Sequence, residues 1–396
     1  MRKCNRMKKL ILFEGDIETQ GYFSGQMKKE LLRLGYDVYL YDLKKPWKST
    51  GEMLRFLEKG NTMLLSFNFH GMCQEPQFLD ENGTYIWDAL DVKCCNILAD
   101  HPYYYYKLLA QRPRNYCQLS IDKNHEAFMR RFFPEVELGP FLPLGGTQID
   151  HPALKKMPER SMDVVFTGNY ASPSRFEKYI TRLGDEYTAF YYEMIDSLLA
   201  DPSQTVEAVV EHFLRREIPQ VTEAELKETM QNITFLDLYV RYKTRGEVVK
   251  TLVDAGIKVH VFGDKWNELP CERPENLING DSLFSEECLE KIRDSRISLN
   301  VLPWFKLGAH DRIYNTMLNG AVCLTDTNPY LDGILRDGEN CRLFSLTRKE
   351  ELPDIVRSLL ADPAKMEQIT EAGLQTGLQN TWAQRMDQLD PWLRRQ

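Results

Sequence analysis

Short apolar runs alternate with helical patterns along the first third of the chain. Residues 9–13 form an apolar run typical of a buried strand, and residues 27–34 carry a helical pattern that ends at Gly35. Residues 38–41 then predict a second strand, and this strand–helix–strand order implies a parallel sheet. Three more strands of the same sheet are predicted from apolar runs at 63–67, 95–98 and 116–121.

A second alternating series begins after a segment with the composition of a linker. Residues 140–146 are rich in proline and glycine, as linkers are, and residues 163–168 predict a new first strand. The following segment, about 171–242, has no pattern typical of a strand and predicts a helical insertion. Strands are predicted again at 259–262, 297–302 and 321–324.

The two series predict an α/β protein of two Rossmann-like domains, each with a doubly wound parallel sheet, that face a cleft. The predicted domains are 1–145 and 146–380, and 381–396 is expected to form a C-terminal helix that returns to the first domain. Ligands of such sheets bind beyond the carboxyl ends of the strands. The informative loops therefore follow Phe13, Leu98, Phe166, Phe262, Leu302 and Leu324.

Length and composition narrow the class of protein. A chain of 396 residues is long for one domain, and a net charge of −8 gives no general attraction to nucleic acid. The basic residues among the first nine suggest at most peripheral membrane contact. Nine cysteines without a CxxC pair predict small core residues. The first apolar run is too short for a signal peptide, so a cytoplasmic protein is expected.

Sequence motifs of several other enzyme classes are missing. No GxGxxG follows the first predicted strand, which argues against a dinucleotide oxidoreductase. The chain also contains no Walker loop, no HExxH and no GxSxG. Candidate chemistry must therefore be sought in the loops at the strand ends.

Two loops of the second domain carry glycine directly after a predicted strand. Gly168 and Asn169 follow one strand, where glycine lets the backbone approach a phosphate group. Gly263 and Asp264 follow the next one, and all four residues are predicted to bind the nucleotide diphosphate of a donor. Trp266 beside them is predicted to form one wall of a base pocket, with a core tryptophan as the equal alternative.

Residues 302–320 hold the densest set of candidate residues. Gly308, His310 and Arg312 lie at the start of a predicted helix, where the helix dipole and an arginine favour an anion. Asp311 is interpreted as the N-cap or a first-turn acid, and Asn315 is placed to bind ribose hydroxyls. The alternative is a capped surface helix. We predict that Arg312 and His310 hold a nucleotide diphosphate, and that the helical insertion does not contact it.

Asp100 and His101 end a buried strand of the first domain. Such a pair is suited to act as a general base or to hydrogen-bond sugar hydroxyls. Alternatively, Asp100 caps the following helix and His101 belongs to a turn. Residues 14–16 after the first strand present a weaker version of the same pattern.

Residues 297–344 resemble the nucleotide-binding part of bacterial GT-B glycosyltransferases related to the spore-coat protein CgeB. The resemblance is carried by 299–301, 308–312, 317–320, 324–326, 330–331 and 338–339, with further landmarks at 99–102, 163–168, 263–266 and 381–385. It implies a GT-B fold, transfer of a sugar from a nucleotide diphosphate, and no cofactor or tightly bound metal. The expected donor is UDP-linked. It also implies that Thr325 and Asp326 bind the donor and that His101 contacts the donor sugar.

One departure from that group concerns the ribose site. Many retaining relatives have a Glu-x7-Glu pair, whereas this chain has Leu307 and Asn315 at the corresponding positions. Retention and inversion of configuration therefore both stay open. The alternatives to a glycosyltransferase are an epimerase or hydrolase of the same fold, or a non-catalytic module that binds a nucleotide sugar.

Overall fold

The computed structural model describes residues 8–150, 155–302 and 305–396. The chain divides into two compact units, one made of Met1–Gly145 with Thr381–Gln396 and the other of Gly146–Asn380. Each unit is built on a six-stranded parallel sheet with flanking helices.

The first unit has strand order β2-β1-β3-β4-β5-β6. Its strands are β1 (Lys9–Glu14), β2 (Asp37–Asp42), β3 (Thr62–Phe67), β4 (Lys93–Leu98), β5 (Tyr116–Ser120) and β6 (Glu137–Leu138). Its helices are α1 (Glu18–Arg33), α2 (Pro46–Phe56), α3 (Ile86–Ala89), α4 (Tyr106–Ala110) and α5 (Lys123–Phe132). Every residue of β3 is buried, as expected for a central strand that is covered on both faces.

The second unit has strand order β12-β11-β10-β7-β8-β9. Its strands are β7 (Met162–Thr167), β8 (Val259–Phe262), β9 (Leu277–Gly280), β10 (Ser295–Asn300), β11 (Val322–Thr325) and β12 (Arg342–Leu343). Its helices are α6 (Glu177–Ile180), α7 (Asp185–Ala200), α8 (Val206–Glu217), α9 (Glu223–Met230), α10 (Thr234–Asp254), α11 (Ser285–Arg293), α12 (Asp311–Leu318), α13 (Leu352–Leu360) and α14 (Pro363–Leu378).

The chain order of both sheets reverses once. In the first unit the chain leaves β1 for β2 on one side and then places β3 on the other side of β1. In the second unit it leaves β7 for β8 and then places β10 on the other side of β7. Each reversal opens a crevice at the carboxyl ends of the two central strands, and ligands of doubly wound sheets bind at such switch points.

Residues 171–242 form helices in the structure, but the predicted end of this segment, residue 242, lies inside the helix α10. The helix α10 is 21 residues long and continues past residue 242 to Asp254. It buries Val248, Val249 and Leu252 in the core of the sheet. The part of α10 beyond residue 242 thus belongs to the α/β layer of the second unit.

Adjacent glycines mark the passage from the first unit to the second. A Cβ atom on Gly145 would lie 2.7 Å from the backbone nitrogen of Trp382, and one on Gly146 would lie 2.6 Å from Cβ of Tyr314. Only glycine fits both positions. The C-terminal helix α15 (Trp382–Leu393) packs in the first unit, where Asp390 accepts a hydrogen bond from the Tyr36 hydroxyl at 2.8 Å.

None of the helices in the described part of the chain is long and apolar enough to cross a membrane.

Candidate functional site

Two glycines bring the backbones of neighbouring loops together at the switch point of the second unit. Gly168 follows β7 with φ +145°, and Gly263 follows β8 with φ +146°. A Cβ atom on Gly263 would lie 2.5 Å from the carbonyl oxygen of Gly168, and one on Gly168 would lie 3.0 Å from the guanidinium of Arg312. Both positions therefore require glycine, and Gly168 brings the backbone against an arginine.

The polar residues of these loops hold the loops to each other. Asn169 Oδ1 accepts the backbone N–H of Asp264 at 2.9 Å, and Asp264 Oδ1 accepts the Ser282 hydroxyl at 2.5 Å. Asn169 and Asp264, both predicted to bind the donor, thus fix the shape of the site from within the chain. Their role toward a ligand stays a prediction.

Trp266 is 2% exposed. Its ring stacks on Tyr170 at 5.2 Å between centroids, its edge meets Phe166, and its Nε1 donates to the Gly168 carbonyl oxygen at 2.8 Å. A ring that is covered in this way offers no open face to a base. The structure therefore supports the alternative interpretation, a core tryptophan, which shapes the site by holding Gly168.

Arg312 lies in the first turn of α12 and is held by neutral groups. Its Nη1 donates to Asn300 Oδ1 at 2.9 Å, and its Nε donates to Thr167 Oγ1 at 3.3 Å. These two acceptors end β10 and β7, the strands on either side of the switch point. The guanidinium is also 5.1 Å from the centroid of the Phe166 ring. It is therefore fixed without using a carboxylate.

Arg245 is a second cation at this site, and it was not predicted from the sequence. It projects from α10, donates to the Asn169 carbonyl oxygen, and lies 5.6 Å from the same Phe166 ring. Burial, followed by the charges of Arg312 and Arg241, lowers the pKa of Arg245 to about 9. Within residues 8–150, 155–302 and 305–396, neither Arg245 nor Arg312 forms an ion pair with a carboxylate.

Arg245 and Arg312 repel each other, and the charge of Asp311 favours the charged form of Arg312 without a direct ion pair. An anion bound to both arginines would offset the free-energy cost of this poorly compensated charge. Only the i, i+4 spacing of Arg241 and Arg245 on α10 hinted at this cluster in the sequence. This spacing was not recognised because the predicted end of the helical insertion, residue 242, lies between the two arginines.

His310 is the N-cap of α12, and Asp311 is the first-turn acid. The Nδ1 atom of His310 is 3.1 Å from the backbone nitrogen of Arg312 and 2.7 Å from Asp311 Oδ1. One nitrogen cannot accept from the first and donate to the second, so these contacts belong to different tautomers. Burial and then the charge of Arg312 lower the pKa of His310, which keeps the imidazole neutral near pH 7.

Asn315 is already engaged at both ends of its amide. Its Nδ2 donates to Asp311 Oδ2 at 2.8 Å, and its Oδ1 accepts the backbone N–H of Thr147 at 2.8 Å. The residue fastens α12 to the segment that follows the linker, which does not favour the predicted contact with ribose. Gly308 is likewise used within the fold, since its carbonyl oxygen accepts from Asn328 Nδ2 at 3.0 Å.

Thr325 and Asp326 lie buried at the end of β11. Thr325 Oγ1 accepts from Asn300 Nδ2 at 2.9 Å, and Asp326 Oδ1 accepts the Leu302 N–H at 2.8 Å. Burial raises the pKa of Asp326 to about 7. Asn300 thus connects Thr325 to Arg312, so these residues support the arginine from behind. This arrangement favours a supporting role over the predicted direct contact with a donor.

Asp100 and His101 follow β4 in the first unit. Asp100 Oδ2 accepts from Asn68 Nδ2 at 3.2 Å and from the Tyr105 hydroxyl at 3.3 Å. The cap of the next turn is His101, whose Nδ1 accepts the Tyr103 N–H at 3.3 Å. The alternative in which Asp100 is the cap is therefore wrong. The carboxylate of Asp100 instead accepts hydrogen bonds from Asn68 and Tyr105, which are neutral donors.

Comparisons with known proteins agree with this architecture. Residues 245–390 match the sequence family described as Glycosyl transferase-like. No protein of curated function matches the chain in sequence. Among solved structures, a T4 phage BGT mutant in complex with UDP-glucose is similar over 98% of both chains, with a TM-score of 0.55 and 12% identity.

An alpha-glucosyltransferase in complex with UDP and a 13-mer DNA containing a HMU base is similar over 98% of this chain and 99% of its own, with a TM-score of 0.58 and 10% identity. A structure of alpha-glucosyltransferase in complex with UDP is similar over 99% of this chain and 100% of its own, with a TM-score of 0.55 and 11% identity. At these identities the likeness concerns the fold. The chain has the GT-B glycosyltransferase fold.

Proposed function

We propose that the protein transfers a hexose from a UDP-linked donor to an acceptor, and that Arg245 and Arg312 bind the donor diphosphate. The observation that carries this proposal is the pair of arginines that share the Phe166 ring without a carboxylate partner in the described chain. A diphosphate supplies the negative charge that the pair lacks. Gly168 holds the backbone of its loop against Arg312, so a phosphate group bound there would lie near both the backbone and the guanidinium.

The nature of the nucleotide rests on similarity. Structural neighbours of this chain are described in complex with UDP or UDP-glucose. The resemblance of residues 297–344 to the CgeB-like group supports the same class of donor. We extend this to the present chain as a hexosyltransferase that works without a tightly bound metal, with Arg245 and Arg312 neutralising the leaving diphosphate.

For the acceptor side we propose Asp100 and His101 of the first unit. The hydrogen bonds of Asp100 to Asn68 and Tyr105 come from neutral donors, which support a carboxylate able to take a proton from an acceptor hydroxyl if the reaction inverts configuration. In a retaining reaction, His101 positions the donor sugar instead. His101→Ala is then expected to lower turnover while the affinity for UDP stays unchanged.

The proposal is tested by mixing the protein with UDP-, GDP- and dTDP-glucose and measuring thermal stabilisation and release of the nucleotide. UDP-glucose is expected to stabilise the protein and to be turned over slowly by water. Arg245→Gln should weaken UDP binding by about 1.5–3 kcal/mol, the range for a lost hydrogen bond to a charged group. Arg114→Gln is the control, because its side chain is 79% exposed in the first unit.

Three results would count against the proposal. Stabilisation by UDP-glucose without release of UDP would indicate a binding module. Release to water that no hydroxyl acceptor accelerates would indicate a hydrolase. Equal UDP affinity of Arg245→Gln and the unaltered protein would remove the arginine pair from the donor site.

A further inference from the structure

The switch point of the first unit also brings two titratable side chains together. Asp16 follows β1 and His70 follows β3, the strands between which the chain order reverses. The distance from His70 Nε2 to Asp16 Oδ2 is 3.1 Å. The imidazole side chain is 8% exposed, whereas the carboxylate side chain is 63% exposed. A buried imidazole therefore contacts an open carboxylate where doubly wound sheets bind ligands.

The loop that carries His70 has an unusual backbone. Asn68 and Phe69 have φ of +46° and +66°, and Gly71 has φ +78°. Left-handed conformations are disfavoured for residues with a Cβ, especially for a phenylalanine. Such conformations persist only where the surroundings fix them, and they cluster at functional sites.

Buried side chains hold this loop in place. The Phe69 N–H donates to Asn96 Oδ1 at 2.9 Å, and the Ser66 hydroxyl donates to the His70 carbonyl oxygen at 2.6 Å. Trp87 Nε1 donates to the Gly71 carbonyl oxygen at 2.7 Å. These bonds fix the backbone on both sides of His70, and the burial of its side chain restricts the rotation of the ring.

The state of the pair follows from burial. Burial is the largest influence on the pKa of His70 and lowers it, while the charge of Asp16 opposes the shift. The imidazole is therefore neutral near pH 7. A carboxylate only accepts hydrogen bonds, so Nε2 carries the proton and donates a hydrogen bond to Asp16. The open carboxylate is held in one orientation and keeps its capacity to accept further donors.

We propose that Asp16, oriented by His70, binds a hydroxyl group of a saccharide acceptor in the first unit. This inference rests on the proposed function for the identity of the acceptor. A carboxylate held by a neutral donor repels phosphate and forms charge-assisted hydrogen bonds with hydroxyl groups. Asp16 contacts the acceptor, and His70 is a positioning residue that acts through it.

The test uses methyl α-glucoside as the hydroxyl probe and UDP-glucose as the donor with the full chain. Asp16→Asn and His70→Leu are expected to raise KM for the glucoside about tenfold, because each disturbs one charge-assisted hydrogen bond. The affinity for UDP and the release of UDP to water should not change. His70→Gln places an amide N–H near the position of Nε2 and should restore most of the affinity for the glucoside.

Asp91→Asn is the matched control. Asp91 is an exposed aspartate of the same unit, and its φ of +53° is one that asparagine tolerates. An unchanged KM in Asp16→Asn, or a His70→Gln variant as impaired as His70→Leu, would overturn the inference. Loss of UDP binding in Asp16→Asn would also overturn it, because the residue would then serve the donor.

A second measurement does not depend on turnover. In nuclear magnetic resonance spectra, methyl α-glucoside should shift the imidazole signals of His70 in the unaltered protein and not in Asp16→Asn. The absence of that shift would overturn the inference even if donor turnover is observed. If the shift occurs but no nucleotide sugar is bound or consumed, the proposed function fails while the hydroxyl site stands.

Discussion

The two switch points of this molecule have the same topology and opposite charge. At β1 and β3 of the first unit, an exposed aspartate meets a buried neutral histidine. At β7 and β10 of the second unit, Arg312 and Arg245 meet on the ring of Phe166. The topology decides where a ligand binds, whereas the few side chains at the strand ends decide its charge. On the proposals made above, a hydroxyl compound binds in the first crevice and a diphosphate in the second.

The two crevices also reach their close backbone geometry by different means. The second uses glycine at 168 and 263, where a Cβ atom does not fit. The first uses Asn68 and Phe69 in left-handed conformations, where the Phe69 N–H donates a hydrogen bond to the buried Asn96 side chain. A glycine after a strand is visible in a sequence, but a phenylalanine forced into such a conformation is not. This explains why the second crevice was found from the sequence and His70 was not.

The largest expected effect is on the free energy of unfolding and concerns Asp326, the buried acid at the end of β11. Because the pKa of Asp326 is raised to about 7, the folded protein binds a proton there that the unfolded chain releases near pH 4. The stability from this group is present at low pH and is lost as the pH rises through 7. Asp326→Asn keeps an acceptor for the Leu302 N–H, so at pH 8 it should gain up to about 4 kcal/mol in free energy of unfolding.

Urea unfolding at pH 5 and pH 8 measures this difference, with Asp332→Asn as the control because Asp332 is exposed. The gain should be much smaller at pH 5 than at pH 8. A large loss of UDP affinity in Asp326→Asn would instead return Asp326 to the donor site. An equal gain at both pH values would show that the carboxyl does not titrate differently in the folded state.

The next effect tests whether the charge difference between the crevices is functional. Arg312→Ala should weaken UDP binding by about 1.5–3 kcal/mol, because it removes a hydrogen-bonding cation from the anion site. Arg312→Lys should recover only part of the loss, since an ammonium cannot contact Asn300 and Thr167 in the planar geometry of a guanidinium. Isothermal titration calorimetry gives both values. If Asp16→Asn weakened UDP binding as much as Arg312→Ala, the comparison between the crevices would fail.

Much of the fold was predictable because it rests on buried apolar runs. The predicted strand at 259–262 coincides with β8, and the predicted strand at 9–13 lies within β1. The α/β class with two parallel sheets is confirmed. The strands β6 and β12 have two residues each, too few for any alternation to show. They form because the neighbouring strand supplies hydrogen bonds.

The candidate site was predictable only in part, because its contacts join distant positions. Arg312 was found from its place at a helix start after a strand. Asn315 bonds to Thr147, which is 168 residues away, and this partner cannot be read from local pattern. Arg245 reaches the site because its guanidinium lies over Phe166 of β7 and donates to the Asn169 carbonyl oxygen, and the periodicity of α10 does not reveal these contacts.

The smallest expected effects come from two histidines that make the same capping bond in different surroundings. His101 and His310 each accept a backbone N–H two residues on through Nδ1. The ring of His101 stacks on Tyr103 at 3.8 Å, whereas the ring of His310 lies beside Asp311 and Arg312. Replacement of either by alanine should lower the free energy of unfolding by about 1 kcal/mol through loss of the cap. Asparagine, a good capping residue, should restore that stability at both positions.

UDP affinity should distinguish the two asparagine variants. His310→Asn still lacks the imidazole next to Arg312, whereas His101→Asn does not change the second unit. Thermal unfolding and calorimetry with UDP on the four variants measure both quantities. Equal UDP affinities for His310→Asn and His101→Asn would mean that His310 is a cap and nothing more.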